Sequence, residues 1–276
     1  MRRLILIVLL GLCVPSEVFA QARFSKNEAE VLPAGSLPPY PLILADTQPV
    51  PPLGPTSRLP LMSPELALAT FQQRNSQQAA ELAAYSAITV VRAELPDSSQ
   101  QGEFELQRRF EAPHTLQFTP INFSGDGFVK NNVIARLLQS EVDHVQKDDP
   151  SATAITTANY KFAYKGMSRI NNRLVHAYQV KPLKKKVGLF KGRIYLDAWR
   201  GTLVRAEGSV VKSPSFFVKH IEFVQEYTDV QSFTLPIHVH SEAKARIVGR
   251  TIVDITHRDY QPVPAPSIQA KKIPLP

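Results

Sequence analysis

Apolar and polar residues alternate with a period of two over much of the chain, a pattern typical of β-strands with one buried and one solvated face. The alternation is clear around Phe104, Leu106 and Phe110, and again around Leu116 and Phe118. The same pattern, or a run of β-branched residues, predicts strands over 87–95, 160–165, 174–181, 193–199, 203–211, 220–224, 237–247 and 251–258. Because the loops between these strands are short, consecutive strands should pair antiparallel in a meander.

Two segments instead have the 3.6-residue period of amphipathic helices. Ser63 followed by Pro64 is a typical helix start, with a capping side chain and a proline at the first helical position, and predicts a helix from about 64 to 84. A second helix is predicted over about 128–146, where six residues share one stripe. These residues are Ile134, Leu137, Leu138, Glu141, Val142 and Val145.

These elements predict an α+β fold, built from one strongly curved antiparallel sheet of about nine strands and two or three helices. Each helix has one apolar stripe, and the sheet has one apolar face. We therefore expect the helices to cover the concave face of the sheet.

The two ends of the chain differ from this central part. Residues 1–20 combine basic residues, a short apolar run and a small residue at the end, which predicts a signal peptide cleaved after Ala20 and a periplasmic mature protein. Residues 21–62 are rich in proline and predict a disordered leader, and residues 262–276 predict a loose tail. The folded domain is expected over 63–261.

The formal charge of +8 favours solubility and attraction to anionic surfaces such as lipid headgroups. Export argues against nucleic acid as a partner, and the sequence has no nucleic-acid-binding motif. Lys181, Lys184, Lys185 and Lys186 form a basic run between two strands, either a solvated loop or a contact with anionic lipid or a protein. No segment after the first 20 residues reaches the roughly 18 apolar residues of a membrane helix, so at most a peripheral membrane contact is expected.

Few residues suggest catalysis. The sequence has no nucleophile elbow, no phosphate-binding loop and no zinc-binding helix motif, and Cys13, its one cysteine, lies in the predicted signal peptide. His238 and His240 share one face of a predicted strand and His257 lies on the next strand, so a hydrolase with a metal site is one hypothesis. Their alternation places them on the polar face beside basic residues, and surface histidines explain them more simply. We expect a protein without cofactor or metal that is not an enzyme.

Several short motifs follow one another between residues 188 and 260. The pattern reads GLFKGRIYLD at 188–197, LVRAEG at 203–208, KSPSF at 212–216 and DY at 259–260. It resembles the outer-membrane lipoprotein-sorting proteins, the Lol carrier-like (LolA-like) family. The resemblance implies an unclosed β-barrel, helices that cover an apolar cavity, and acyl chains of lipoproteins or lipids as ligands.

Candidate ligand-binding residues lie on the apolar parity of the strands and on the stripe of the second helix. They are Phe104, Leu106, Phe110, Leu116, Phe118, Ile134, Leu138, Ile194, Leu196, Ile221 and Phe223. Arg108 has the same parity as its apolar neighbours, and a buried arginine needs a partner. It is either a latch that holds a covering helix on the sheet, or a residue near the sheet edge with its head in water.

The main hypothesis is therefore a periplasmic carrier or binding protein that holds acyl chains in an apolar cavity. It would work with an inner- or outer-membrane protein as partner. The alternative is a structural or regulatory module of the cell envelope, not an enzyme, which binds a protein and keeps its interior filled.

Overall fold

The computed structural model describes residues 60–147, 150–213, 218–246 and 249–266. The predicted signal peptide and residues 21–59 of the predicted leader lie outside these residues. Within them, the chain forms one antiparallel sheet with helices packed on one of its faces. The predicted α+β fold class is confirmed.

The first helix, α1 (Pro64–Glu81), leads directly into strand β1 (Leu82–Leu95). Strands β2 (Gln100–Glu111) and β3 (Thr115–Gly125) follow. A helical segment comes next, made of α2 (Gly127–Val129), a π-helical turn (Lys130–Ile134) and α3 (Ala135–Lys147). The other strands are β4 (Tyr160–Ile170), β5 (Arg173–Pro182), β6 (Phe190–Asp197), β7 (Leu203–Val210), β8 (Val218–Val230), β9 (Phe233–Ala245) and β10 (Gly249–Pro264). Short 3₁₀ turns lie at Pro96–Ser98 and Pro150–Ala152.

The ten strands form a meander whose order is β3-β2-β1-β10-β9-β8-β7-β6-β5-β4. The last strand returns to pair with the first, so β1 and β10 are neighbours inside the sheet. The edge strands are β3 and β4, and the sheet is not closed. The strand count is thus close to the nine expected, and every predicted strand is present.

Helix α1 begins where the sequence predicts, because the Ser63 side chain accepts a hydrogen bond from the Leu66 amide at 3.2 Å. It ends earlier than predicted, at Glu81, because Leu82 already pairs with Pro264 of β10. Strand β10 therefore extends into the predicted loose tail. Pro264 lies at an irregularity in the register with β1, and Pro262 lies in the short regular stretch before the next irregularity. Prolines are tolerated at and near such irregular positions, where the ladder of hydrogen bonds is interrupted.

Two large apolar clusters lie on the helix-covered face. The α3 cluster joins the segment α2–α3 to strands β1, β2, β9 and β10, and it consists of Val91, Ala93, Leu95, Phe104, Leu106, Val129, Val133, Ile134, Leu137, Leu138, Val239, Val253 and Ile255. The α1 cluster joins Phe71 of α1 to strands β4 to β8, and it contains Tyr160, Tyr178, Val180, Leu189, Phe190, Ile194, Leu196, Leu203, Ala206, Phe223 and Tyr227. In the described part of the chain, no helix is both long enough and apolar enough to span a membrane.

Candidate ligand-binding site

The predicted cavity residues all lie in the interior, with ten of them buried and Phe118 partly buried. They fall into separate clusters. Phe104, Leu106, Ile134 and Leu138 belong to the α3 cluster, and Ile194, Leu196 and Phe223 belong to the α1 cluster. Phe110, Leu116 and Phe118 form a third group with Val142 and Val145 of α3, and Ile221 packs with Val210 and Ala243. Their role in ligand binding stays a prediction.

The buried apolar side chains of the described residues pack into clusters in this form of the molecule. A cleft beside α1, between Phe71, Gly201 and Tyr227, encloses about 20 Å³. This volume accommodates about one water molecule and is too small for an acyl chain. The predicted cavity residues pack against other apolar residues within their clusters, so a long apolar ligand would have to separate a helix from the sheet.

Arg108 of β2 is the charged group at the boundary between sheet and helix. It is only 5% exposed, and it forms an ion pair with Glu141 of α3, which is 6% exposed. Its Nε donates a hydrogen bond to the Tyr85 hydroxyl at 2.9 Å, and its guanidinium lies 5.4 Å from the centre of the Phe118 ring. The alternative in which Arg108 keeps its head in water at a sheet edge is therefore wrong.

Burial and neighbouring charges act in opposite directions on Arg108. Burial alone would lower its pKa, but the Glu141 carboxylate and the nearby tyrosines outweigh this effect and raise the pKa above its ordinary value. Burial also raises the pKa of Tyr85 and Tyr260, which lie beside the pair. At neutral pH the Arg108 guanidinium is thus charged, and the tyrosines around it are neutral.

His257 of β10 belongs to the same buried polar group. Its Nδ1 lies 2.9 Å from the Thr89 hydroxyl, and among the described residues its buried Nε2 has no hydrogen-bond partner. Burial lowers the pKa of His257 well below its usual value, and the positive charge of Arg108 lowers it further. The imidazole is consequently neutral in the folded protein.

The hypothesis of a three-histidine metal site is wrong. His238 and His240 lie on the opposite, partly exposed face, where both contact Asp254 at 3.4 and 2.8 Å. His257 is buried on the helix-covered face, because it continues the buried parity of Val253 and Ile255. Within the described ranges, the structure has no cluster of three or more His, Cys, Asp or Glu side chains suited to a metal ion.

Segment α2–α3 has a second cationic contact with the sheet. The ammonium of Lys130, at the start of the π-helical turn, lies 5.0 Å from the Phe104 ring centre and 4.7 Å from that of Phe123. Such cation–π contacts contribute little free energy where water reaches the cation. The π turn itself adds a residue to the helical repeat, and π turns of this kind are frequent at functional sites.

The sequence pattern predicts a partner for Arg108 but does not name it. The signal that could have identified the partner is Glu141, an acid on the apolar stripe of the second helix, just as Arg108 is a base on the apolar parity of its strand. Two such exceptions are expected to pair, since each buried charge needs a partner. Tyr85 and Tyr260 gave no such signal, because tyrosine is common both inside and outside proteins.

No family model and no curated protein matches the sequence. Among solved structures, a DUF1329 family protein from Desulfovibrio piger is 8% identical, with 72% of this chain and 92% of that chain covered at a TM-score of 0.39. A domain assigned to outer-membrane lipoprotein sorting from Vibrio parahaemolyticus is 10% identical, with 71% and 91% covered and a TM-score of 0.38. A LolA superfamily protein from Nitrosomonas europaea is 7% identical, with 74% and 96% covered and a TM-score of 0.37. These solved structures match this chain over most of their own length, but with every TM-score below 0.5 the likeness carries no argument about this chain.

Proposed function

We propose that the protein is a periplasmic binding protein or carrier for acyl chains of lipoproteins or lipids, and that it catalyses no reaction. The ligand would lie between the sheet and segment α2–α3, against the side chains of the α3 cluster. Each buried methylene of such a chain contributes roughly 0.8 kcal/mol. The closed form described here would be the unloaded state.

The buried Arg108–Glu141 pair is the observation that carries this proposal. Two charges in a dry interior lose much of their hydration, and an apolar pair of similar volume is often neutral or more stable. The pair is therefore a poor device for stability alone. The pair is a polar contact in an otherwise apolar boundary between β2 and α3. Such a contact suits a helix that detaches from the sheet and must return to the same position.

Helix α1 is held to the sheet by hydrogen bonds to the backbone rather than by a buried ion pair. These contacts favour α2–α3, not α1, as the segment that moves. The Gln78 side chain forms two hydrogen bonds with the backbone of Thr234, at 3.1 and 2.8 Å. The Tyr178 hydroxyl donates to the Pro64 carbonyl near the start of the helix. Helix α1 also continues into β1 without a loop, so its displacement would disturb the centre of the sheet.

The test is binding of a fluorescent fatty acid to delipidated protein. Glu141→Gln removes the ion pair and weakens the closed form, so we expect tighter apparent binding. The double variant Arg108→Met/Glu141→Leu replaces the pair by apolar contacts that keep the helix closed, so we expect binding at least about tenfold weaker than for the unmodified protein.

A matched control is available on the other face of the sheet. Arg92 and Glu103 form an exposed ion pair between β1 and β2, and the double variant Arg92→Met/Glu103→Leu removes the same two charges. It should leave fatty-acid binding unchanged. If no variant binds the fatty acid and no lipid co-purifies with the protein from its host, the acyl-chain proposal is wrong.

The closely packed interior favours a second candidate, an envelope module that binds a protein and keeps its core filled. In that case the helices need not separate from the sheet. Delipidated protein would not bind the fatty acid, while a membrane protein of the envelope would still co-purify with it. The same binding experiment therefore distinguishes the two candidates.

A further inference from the structure

The basic residues of this protein are concentrated in one part of the chain. Residues 150–196 contain ten lysines and arginines and no aspartate or glutamate. The whole chain has a formal charge of +8, so the remaining residues carry a slight excess of acids. Such segregation of charge is a property of interaction surfaces rather than of folding.

Six of these residues form what we call the lysine face, at the end of strands β4, β5 and β6. They are Lys161, Lys181, Lys184, Lys185, Lys186 and Lys191, and all are exposed. Lys161 and Lys181 are direct cross-strand partners, and the pairing of Val180 with Gly192 continues the row to Lys191. Lys184, Lys185 and Lys186 lie in the loop that follows β5.

The lysine face points away from the helices. Phe162, Val180 and Phe190 pack in or against the α1 cluster, and each precedes or follows one of the strand lysines. Since successive side chains of a strand point to opposite faces, Lys161, Lys181 and Lys191 lie on the outer face. They are therefore separate from the proposed acyl-chain site.

Among the described residues, no acidic side chain pairs with the lysines of this face. Like charges directly opposite each other destabilise a sheet, so the Lys161–Lys181 pair costs folding free energy. The outer face of β1, β2, β9 and β10 differs, because its arginines have acidic partners. These arginines are Arg92, Arg109 and Arg250.

We propose that the lysine face docks the protein on an anionic phospholipid bilayer. Clusters of four to eight basic residues bind such surfaces, with a contribution of about fivefold in affinity for each lysine. The loop also presents Leu183, which is 47% exposed and stands between Lys181 and the three loop lysines. An apolar side chain among lysines suits the boundary between headgroups and acyl chains, whereas an acidic peptide offers it no apolar region.

The test is co-sedimentation of the mature, exported protein with vesicles of phosphatidylglycerol and phosphatidylcholine in equal parts. The variant Lys184→Gln/Lys185→Gln/Lys186→Gln should bind about 100-fold more weakly. Leu183→Ser should bind several-fold more weakly, and binding of the unmodified protein should fall as salt rises.

The matched control is Arg92→Gln/Arg109→Gln/Arg250→Gln, which removes the same charge from the outer face of other strands. It should change vesicle binding by less than about threefold. Lys161→Gln/Lys191→Gln is a second variant that tests the strand positions if the loop variant is misfolded by circular dichroism.

Three results would overturn the proposal. Equal losses for the lysine and arginine variants would show that location does not matter. Equal binding to pure phosphatidylcholine would show that the lipid charge does not matter. Tighter binding to polyglutamate than to vesicles at matched charge would identify an acidic protein segment as the partner. Fatty-acid binding by the lysine variants should be unchanged, so this test is independent of the acyl-chain proposal.

Discussion

The α3 cluster and the α1 cluster occupy the same face of one sheet, yet they are held by different kinds of contact. The α1 cluster is closed by aromatic rings and neutral hydrogen bonds, as in the edge-to-face contact of Phe190 with Phe223 at 5.1 Å. Burial raises the pKa of its Tyr160 to about 12, so that side chain stays neutral over the physiological range. Beside the α3 cluster lie an ion pair and a neutral buried histidine.

This difference indicates which half of the molecule can respond to its surroundings. Neutral contacts change little with pH or with a charged neighbour, and they fix the position of α1. Burial keeps His257 neutral, whereas the neighbouring Glu141 carboxylate and tyrosines outweigh burial and keep Arg108 charged. We therefore expect variants and conditions to separate the two halves.

The largest effect should come from breaking the Arg108–Glu141 pair. Arg108→Met leaves the Glu141 carboxylate buried without its partner, and we expect a loss of about 4 kcal/mol in the free energy of unfolding. Arg108→Met/Glu141→Leu should recover this loss in full or exceed it, because its apolar contacts hold the closed form at least as well as the ion pair does. Urea unfolding measures both free energies, and a double variant as unstable as the single one would contradict the expectation that apolar contacts can replace the ion pair.

Truncation of a fully buried side chain should lower the free energy of unfolding by a similar amount in the α3 cluster and in the α1 cluster. It should affect fatty-acid binding only in the α3 cluster. Ile134 and Leu196 are both 0% exposed, in the α3 and α1 clusters respectively. Ile134→Ala and Leu196→Ala should each cost about 3 kcal/mol. Only Ile134→Ala should also increase binding of the fluorescent fatty acid, and equal increases would remove the distinction between the halves.

Acidification should weaken the protein through His257. Its pKa is lower in the folded protein than the unfolded value of about 6.5, so the folded state favours the neutral imidazole. This stabilisation is present above about pH 6.5 and is lost as the pH falls from 6.5 to 5 toward the folded-state pKa, by at most about 1.4 kcal/mol per pH unit.

The control for this pH effect is His257→Gln, whose amide can keep the hydrogen bond to Thr89 without titrating. Its unfolding free energy should depend less on pH over the same interval, which lies above the range where most carboxylates titrate. Identical pH dependence in both proteins, measured by urea unfolding at each pH, would show that His257 is not the group responsible.

The smallest effect concerns the start of α1. Ser63→Ala removes the side-chain acceptor for the Leu66 amide and should cost about 1 kcal/mol. Because α1 does not move in the proposed mechanism, thermal unfolding should register the loss and fatty-acid binding should not. A change in binding as large as that of Ile134→Ala would mean that α1 also opens.

The alternation of residues was sufficient to predict the strands and their buried parity. Phe104, Leu106 and Phe110 are all buried as expected, because a residue's face follows from its position along the strand. Arg108 follows the same rule. The depth of the interior could not be predicted, since alternation shows which side faces inward but not how far the helix stands from the sheet.

Two predictions were wrong, and in each case the sequence already indicated the correct interpretation. His257 was grouped with His238 and His240 by residue type, although Val253 and Ile255 place it on the buried parity. The prolines near the end of β10 were taken as the start of a loose tail. Proline excludes only the donor of a ladder hydrogen bond, so a strand with irregular register can contain it.

The pairing of β1 with β10 has a consequence for biosynthesis. It joins residues as distant in sequence as Leu82 and Pro264, so the middle of the sheet cannot form until the last strand has been made. If the chain crosses a membrane from its first residue onward, the edge of β1 that later pairs with β10 stays unpaired until β10 has crossed. An unpaired strand edge of this kind is prone to aggregation. Assembly should therefore be slow, as for other folds whose contacts are distant in sequence, and would benefit from a chaperone that shields the waiting strand.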